Sequence, residues 1–375
     1  MATKAQKKAL EQEKLRLNKG YGHGTGALGS DPVKLDVWPT GILALDYALG
    51  TGGYGKGYIV EVFGPEDIGK SSAIGLSAIR AAQKEGALCG VIAVEPNWDT
   101  GWVSKNGVDL ESVIIARPDD GEDAFNILYD WVMSDVIDVI LFDSIGALLK
   151  GTEIDTGKPD KKAKPSQAGQ SPLITWGVKR VVMPAFKRRK TILFMNQVRD
   201  KMDSMYSMLD SPGGHALKHS VSQRIQLKPK KVHTQTVDED KGVVVGRELV
   251  AEIVRNKLSE GTKQRAVFDY WQMDTDDNRV GIDLADDLIR VGKKTGVISG
   301  TGWLYHELFP EDKKGEHKLQ GKAKVREWLV ENPKSYDKIR KQILEVMIER
   351  AEQPPNLDWV PETEEGDDDG DVAGS

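Results

Sequence analysis

The sequence predicts an α/β fold in which helices flank a twisted, mostly parallel β-sheet. Apolar runs without polar alternation are typical of strands that are buried on both faces of such a sheet. These runs cover residues 58–63, 88–94, 136–142 and 191–195. Helix-forming stretches alternate with them at residues 72–85, 121–135 and 172–190. This alternation indicates parallel strands, because each helix carries the chain back across the sheet.

The composition is that of a globular protein. The 375 residues are 39% hydrophobic and 29% charged, which allows one large core or two. Cys89 is the only cysteine, which excludes an internal disulfide and a multi-cysteine zinc site and fits a reducing compartment. No apolar stretch is long enough to span a bilayer and no apolar signal region opens the chain. We therefore expect a cytoplasmic protein without a membrane partner.

Charge is distributed unevenly along the chain. The formal net charge is −6, but residues 361–375 alone hold seven acidic residues and no base. The remainder is close to neutral, so the net charge does not exclude a nucleic-acid partner.

Four segments are expected. Residues 1–36 form an N-terminal helix and linker, 37–280 a core, 281–353 a small C-terminal α/β module and 354–375 a disordered acidic tail. The N-terminal helix, predicted over residues 4–19, has too little apolar surface to be stable alone. It is either a frayed terminus or a helix that docks on a neighbouring subunit.

The first apolar run leads into a G-x-x-x-x-G-K-S motif, and a helix former follows it. The motif covers residues 64–71 and is followed by Ser72. Its residues are Gly64, Pro65, Glu66, Asp67, Ile68, Gly69, Lys70 and Ser71. Its glycines let backbone N–H groups turn toward a polyphosphate, and the helix N-terminus adds its positive dipole end. Lys70 would reach the β- and γ-phosphates, and the Ser71 hydroxyl would bind Mg²⁺. The alternative is a chance match in a glycine-rich chain. The predicted strand before the motif and the predicted helix after it make that alternative less favourable.

Two acidic residues close predicted strands. Asp143 follows an apolar run and is placed like a Walker B acid, which holds Mg²⁺ or its water. Such an aspartate is otherwise often a helix N-cap. Glu95 directly follows the apolar run Val91–Val94, where its carboxylate could hold a water molecule in line with a γ-phosphate. The alternative is that Glu95 is a solvated carboxylate in a loop.

Two long loops follow predicted strands near this site. Gln197 follows Asn196 at a strand end, where its amide can sense a γ-phosphate, and the first loop, 198–212, is rich in methionine. The second, 150–170, carries several lysines. Basic loops with apolar and aromatic side chains suit single-stranded nucleic acid, although a lysine run is also compatible with a solvated surface.

The chain resembles the RecA family of homologous recombinases along nearly its whole length, as a divergent, phage-encoded member would. The segments that carry the resemblance are residues 40–50, 64–72, 95–99, 143–144, 196–199, 213–218, 254–258 and 321–333. The family implies a RecA-like P-loop NTPase core and an ATP-dependent helical filament that coats single-stranded DNA and pairs it with homologous double-stranded DNA.

The resemblance also implies site residues. Glu95 would be the general base, with Lys70 and Gln197 beside the phosphates. Asp99 and Trp102 match positions that contact adenine. Arg255 and Lys257 match basic residues that reach ATP across the subunit interface. The N-terminal helix would dock on a neighbouring subunit. The C-terminal module would receive duplex DNA, and the acidic tail would compete with that DNA for the module.

The two loops would bind DNA. The residues expected to contact it are Arg199, Lys201, Met202, Tyr206, Gly213, Gly214, Lys161, Lys162 and Lys164.

Several positions depart from the family pattern. Asp67 and Ile68 replace small polar residues, and His219 replaces an aromatic that relays between subunits. Arg255 stands where a lysine is usual, and Tyr206 replaces a phenylalanine. Asp67 and His219 keep one alternative open, a catalytically weak scaffold that coats single strands. A separate alternative is a motor or regulator with the same core that does not exchange strands.

Overall fold

The computed structural model of the chain describes residues 3–21, 35–95, 98–148, 170–198, 214–237, 240–259 and 264–352. Its α-helices are α1 Lys4–Tyr21, α2 Leu43–Leu49, α3 Leu76–Lys84, α4 Thr100–Lys105, α5 Gly121–Met133, α6 Gln170–Arg188, α7 Gly214–Ser220, α8 Leu284–Thr295, α9 Gly321–Glu331 and α10 Pro333–Glu352. Its strands are β1 Val37–Trp38, β2 Tyr54–Gly55, β3 Ile59–Gly64, β4 Cys89–Ala93, β5 Val113–Ala116, β6 Val139–Asp143, β7 Thr191–Gln197, β8 Gln223–Val237, β9 Asp240–Asn256, β10 Arg265–Trp271, β11 Gly281–Ile282, β12 Trp303–Tyr305 and β13 Lys318–Gln320. Among the helices in these ranges, none is long and apolar enough to cross a membrane.

One nine-stranded sheet organises the molecule, in the order β11-β10-β9-β8-β3-β7-β6-β4-β5. From β8 to β5 every neighbouring pair is parallel. From β8 to β11 every pair is antiparallel. The prediction of a mostly parallel sheet flanked by helices is therefore confirmed.

The sheet separates two cores. In β6, Leu141 belongs to the cluster that also holds Ile74 and Ile79, from the turn before α3 and from α3 itself. Its neighbour Phe142 belongs to the cluster that contains Phe125 of α5 and residues of α6. Because side chains alternate between the faces of a strand, one apolar run supplies both cores.

The helix after the phosphate-binding motif begins differently from the prediction. A π-helical turn over Lys70–Gly75 precedes α3. Gly75 passes close to the sheet: a Cβ there would lie 3.0 Å from Leu141 Cδ2. A larger residue would thus push the start of the helix away from β6.

The β8–β9 hairpin extends well beyond residues 224–227 and 247–254, the two stretches whose alternating pattern is typical of strands. The extra length is polar and includes Pro229, whose missing N–H is typical of a strand end or bulge. The register between the two strands indeed shifts between Pro229 and Lys231.

Two polar contacts join α8 to the core. Asp287 accepts hydrogen bonds from the Leu43 and Ala44 N–H groups, at 2.5 and 3.0 Å, at the start of α2. Arg290 pairs with three carboxylates: Asp286 of its own helix, Glu248 of β9 and Asp269 of β10, at 2.5, 3.0 and 2.8 Å. The proposed boundary at residue 280 lies just before β11, which pairs with β10.

Candidate active site

The carboxyl ends of four parallel strands meet at one edge of the sheet. Gly64 at the end of β3 is the register partner of Gln197 at the end of β7. Ala93 at the end of β4 is the partner of Asp143 at the end of β6, and Glu95 lies two residues beyond Ala93. In open α/β sheets this edge is where ligands bind.

The loop after β3, which carries the predicted phosphate-binding motif, passes twice through left-handed backbone conformations. Gly69 has a φ of 91° and Asp67 a φ of 53°, both in the left-handed region. Pro65, Glu66 and Asp67 are exposed, whereas Ile68 is only 3% exposed and packs into the core. The Ile68 side chain thus has a structural role, and the exposed Asp67 carboxylate remains in water.

Lys70 is folded back onto its own loop. Its Nζ donates a hydrogen bond to the Pro65 carbonyl oxygen, and the side chain is buried. Burial lowers the pKa of Lys70, while nearby carboxylates, first Asp143 and then Glu66, oppose that shift. The ammonium group therefore lies among acidic groups at the cradle.

Asp143 is held by two donors. Ser71 Oγ donates to Oδ1 at 2.8 Å and Trp98 Nε1 donates to Oδ2 at 3.1 Å. Burial raises the pKa of Asp143 to about 6, and the hydrogen bond from Ser71 opposes the shift. The N-cap alternative is excluded, because Ser144 occupies the N-cap of the turn that follows.

This pair of oxygen ligands fits Mg²⁺. A hydroxyl and a carboxylate are ligands that Mg²⁺ prefers, and the ion usually completes its shell with phosphates and water. Across the described ranges, no group of three or more His, Cys, Asp or Glu side chains forms a denser metal site.

Glu95 lies next to this pair. Its Oε1 accepts a 2.7 Å hydrogen bond from Ser144 Oγ, and Ser144 is only 3% exposed. Glu95 itself is half-buried rather than fully solvated. A carboxylate in this position can accept a proton from a water molecule.

A small recess of about 60 Å³ opens beside the loop. Asp99 and Trp102 line it with Ser71, Ser72 and Asp143. Asp99 also caps α4, accepting from the Gly101 and Trp102 N–H groups at 2.9 and 3.3 Å. Trp102 Nε1 donates to Ser72 Oγ at 3.1 Å. The two residues predicted to contact adenine thus lie beside the cradle.

Gln197 is anchored through its buried neighbour. Its backbone N–H donates to Asn196 Oδ1 at 3.0 Å, and Asn196 Nδ2 donates to Glu61 Oε1 at 2.9 Å. Arg224 Nε donates to Glu61 Oε2 at 2.6 Å. Glu61 is fully buried, so this network ties β3 and the end of β7 to the start of β8.

Arg255 and Lys257 lie against α7. Arg255 Nη1 donates to the Lys218 carbonyl oxygen and Lys257 Nζ to the His219 carbonyl oxygen, each at 2.6 Å. Cations at the carbonyl end of a helix are favourable because these oxygens have no partner within the helix. Burial lowers the pKa of Lys257, and the neighbouring Arg255 charge lowers it further.

The two predicted DNA loops lie largely outside the described residues. The positions concerned are Lys161, Lys162, Lys164, Arg199, Lys201, Met202, Tyr206 and Gly213. Gly214 is the first residue of α7. The acidic tail is likewise outside the described residues.

Sequence reasoning missed four polar side chains at this edge: Trp98, Ser144, Glu61 and Arg224. Trp98 and Ser144 lie beside predicted site residues, but nothing in their local pattern marks their contacts. The contact of Glu61 could have been expected from the sequence, since Glu61 is the only charged residue in the apolar run 58–63 before the loop. An acid in a strand buried on both faces requires a partner.

Known proteins support the family expected from the sequence. The family model of the RecA N-terminal domain matches residues 5–272. The protein RecA of Thermotoga neapolitana is 32% identical over 366 residues, which cover 95% of this chain and 98% of the relative. The protein RecA of Thermus aquaticus is 33% identical over 344 residues, 90% of this chain and 94% of the relative. This chain belongs to the RecA family.

Proposed function

We propose that this protein is an ATP-dependent DNA recombinase. It forms helical filaments on single-stranded DNA, pairs that strand with homologous double-stranded DNA and hydrolyses ATP to ADP and phosphate in a DNA-dependent way. The observation that carries the ATPase proposal is the pair of neighbouring contacts Ser71–Asp143 and Ser144–Glu95, which brings the proposed metal ligands and the proposed base together at the ends of β4 and β6. Family membership supports the recombinase class.

The cradle would bind the triphosphate through the backbone N–H groups of residues 64–72. Lys70 would exchange the Pro65 carbonyl oxygen, its present partner, for phosphate oxygens. This exchange is favourable because an ammonium group interacts more strongly with an anion than with a neutral carbonyl. Ser71 and Asp143 would hold Mg²⁺, which supplies charge neutralisation at the phosphates when it is bound.

Glu95 would act as the general base. It would take a proton from the water that attacks the γ-phosphorus, while Ser144 keeps the carboxylate oriented. Gln197 would donate its side-chain amide to a γ-phosphate oxygen. The loop that follows Gln197 would then respond to the presence of that phosphate.

Arg255 and Lys257 would complete the active site of a neighbouring subunit. In this chain they hold the carbonyl end of α7, the helix that follows the predicted DNA loop at 198–212. Assembly of subunits, ATP hydrolysis and the position of that loop would thereby be linked.

DNA would bind at the two loops, through the lysines at 161–164 and through Arg199, Lys201, Met202, Tyr206, Gly213 and Gly214. The C-terminal module would receive duplex DNA, with the acidic tail as its competitor. The proposed place of action is the cytoplasm, that of a host cell if the chain is phage-encoded.

Negative-stain imaging with an ATPase assay tests this function. With single-stranded DNA and a non-hydrolysable ATP analogue we expect helical filaments, and with ATP we expect hydrolysis that depends on DNA. Lys70→Ala should abolish both. Filaments without hydrolysis or strand exchange would instead support the scaffold alternative, and hydrolysis without filaments would support a motor or regulator.

A further inference from the structure

Trp98 makes a contact that the proposed function does not use. Its indole Nε1–H donates to Asp143 Oδ2 at 3.1 Å, on the opposite oxygen from the one that Ser71 contacts. Asp143 is only 6% exposed, so few other donors can reach that oxygen. One carboxylate is therefore oriented by two side chains from different parts of the chain.

The position of Trp98 is itself fixed at two points. Its carbonyl oxygen accepts a 3.3 Å hydrogen bond from Arg117 Nη2, just beyond β5. Its ring is partly buried against the core and lines the recess beside the cradle. A ring held in this way can direct its N–H to one acceptor.

An indole N–H is a donor only and cannot bind a metal ion. A hydrogen-bond donor that contacts the carboxylate and not the metal turns that carboxylate toward the ion, and its loss typically weakens metal binding tenfold or more. We propose that Trp98 is a positioning residue for Mg²⁺-nucleotide binding: its N–H holds Oδ2 so that Oδ1 stays beside Ser71 and faces the cradle. This inference rests on the proposed function.

Trp98→Phe tests the proposal, because it removes the indole N–H and retains an aromatic ring, although a smaller one. The probe is ADP with a fluorescent label on its ribose, titrated in EDTA and at a series of Mg²⁺ concentrations. We expect nucleotide affinity in EDTA to match that of the unmodified protein. The Mg²⁺ concentration that gives half of the metal-dependent gain in affinity should rise about tenfold.

Trp176→Phe is the matched control, since Trp176 is an exposed tryptophan of α6. It should behave as the unmodified protein at every Mg²⁺ concentration. An unchanged Mg²⁺ requirement in folded Trp98→Phe would overturn the proposal. So would an equal loss of affinity in EDTA, because that result would indicate general packing. If the unmodified protein binds no nucleotide at all, the proposed function fails first.

A second measurement covers the case in which Trp98→Phe does not fold. Among the tryptophans that the structure describes, Trp98 and Trp102 are the two that line the recess. In Trp102→Phe labelled with ¹⁵N, Mn²⁺ with ADP should broaden one indole N–H signal strongly, that of Trp98. If no indole signal is broadened although Mn²⁺ and ADP bind, Trp98 does not lie beside the metal and the proposal is wrong.

Discussion

Ser144 Oγ donates a 2.7 Å hydrogen bond to Glu95 Oε1. The residue that follows a proposed metal ligand, Asp143, therefore orients the proposed base. Because the two residues are adjacent in sequence, a shift of the end of β6 would change the proposed metal binding and the proposed proton transfer together.

Ser144→Ala should slow hydrolysis without weakening nucleotide binding. Without its donor, the Glu95 carboxylate can turn away from the attacking water, and a misplaced base costs about tenfold or more in turnover. Steady-state ATPase assays and equilibrium nucleotide binding separate the two effects. Ser77 is also a buried serine but lies on α3, so Ser77→Ala should leave turnover unchanged. Equal turnover in both variants would show that the hydrogen bond does not position the base.

Glu95→Gln should bind ATP and single-stranded DNA but hydrolyse ATP at least about 100-fold more slowly, because an amide cannot accept the proton from water. The comparison is Glu85→Gln, an exposed glutamate at the end of α3. DNA-stimulated phosphate release is the measurement. Normal turnover of Glu95→Gln would remove Glu95 from the mechanism.

Mixing two inactive variants tests the shared active site. Arg255→Ala keeps Glu95 but lacks the arginine, whereas Glu95→Gln keeps Arg255 but lacks the base. If Arg255 acts on the neighbouring subunit, each variant can supply what the other lacks. In a mixed head-to-tail filament, about a quarter of the interfaces combine an intact Glu95 with an intact Arg255. We expect hydrolysis to reappear in the mixture at a corresponding level. A mixture as inactive as its components would place both residues in the same subunit's site.

Stability should fall as the pH rises from about 4 to about 7. Burial raises the pKa of both Asp46 and Asp287 to about 7, while backbone hydrogen bonds, from Thr40 to Asp46 and from Ala44 and Leu43 to Asp287, oppose the shift. The native state then binds protons more tightly than the unfolded state, whose carboxyl pKa is about 4. The stabilisation that comes from protonation of these two carboxyl groups is fully present below the unfolded-state pKa. It is lost as the pH rises through the native-state pKa.

The free energy of unfolding in urea at pH 5 and pH 8 measures this effect. Asp46→Asn removes one titrating group and keeps an oxygen for the Thr40 N–H, which Asp46 Oδ1 accepts at 2.8 Å. We expect a smaller difference between the two pH values in this variant. Asp135→Asn, at an exposed aspartate, serves as the control. An identical pH dependence in Asp46→Asn would contradict the assignment.

Arg290→Met should destabilise the fold by about 3 kcal/mol, because it leaves three largely buried carboxylates without their shared cation. Their side chains, on Glu248, Asp269 and Asp286, are 11%, 11% and 8% exposed. Arg290→Lys should recover part of the loss by restoring the charge. Equilibrium urea unfolding gives both values, and a change of less than 1 kcal/mol in Arg290→Met would argue that the cluster is solvated.

The sequence predicts the edge of the sheet where the site lies because strand ends are local features. Gly64, Asp143 and Gln197 each follow an apolar run, and parallel pairing then brings them together. The network of Glu61, Asn196 and Arg224 is harder to predict. Its three members lie on β3, β7 and β8, so the pairing depends on strand order, which the local pattern does not contain.

Three further features that the sequence does not predict have physical causes. The outer part of β8–β9 was not predicted because it lies beyond the core, where polar residues lose the alternation that marks a half-buried strand. The π-helical turn over Lys70–Gly75 was missed because helix-forming residues do not distinguish a π-turn from an α-turn. The contact of Trp98 with Asp143 joins residues 45 positions apart and leaves no periodic signal.

Arg290 fixes α8 to β9 and β10, and α10 packs on α8 in turn. In the proposed filament, α8 and α10 would therefore turn together with the sheet of their own subunit. The 20 residues of α10 span about 30 Å, so a 10° rotation about its near end moves the far end by about 5 Å. Small rotations between subunits would thus become large displacements at the periphery, with no hinge needed inside the subunit.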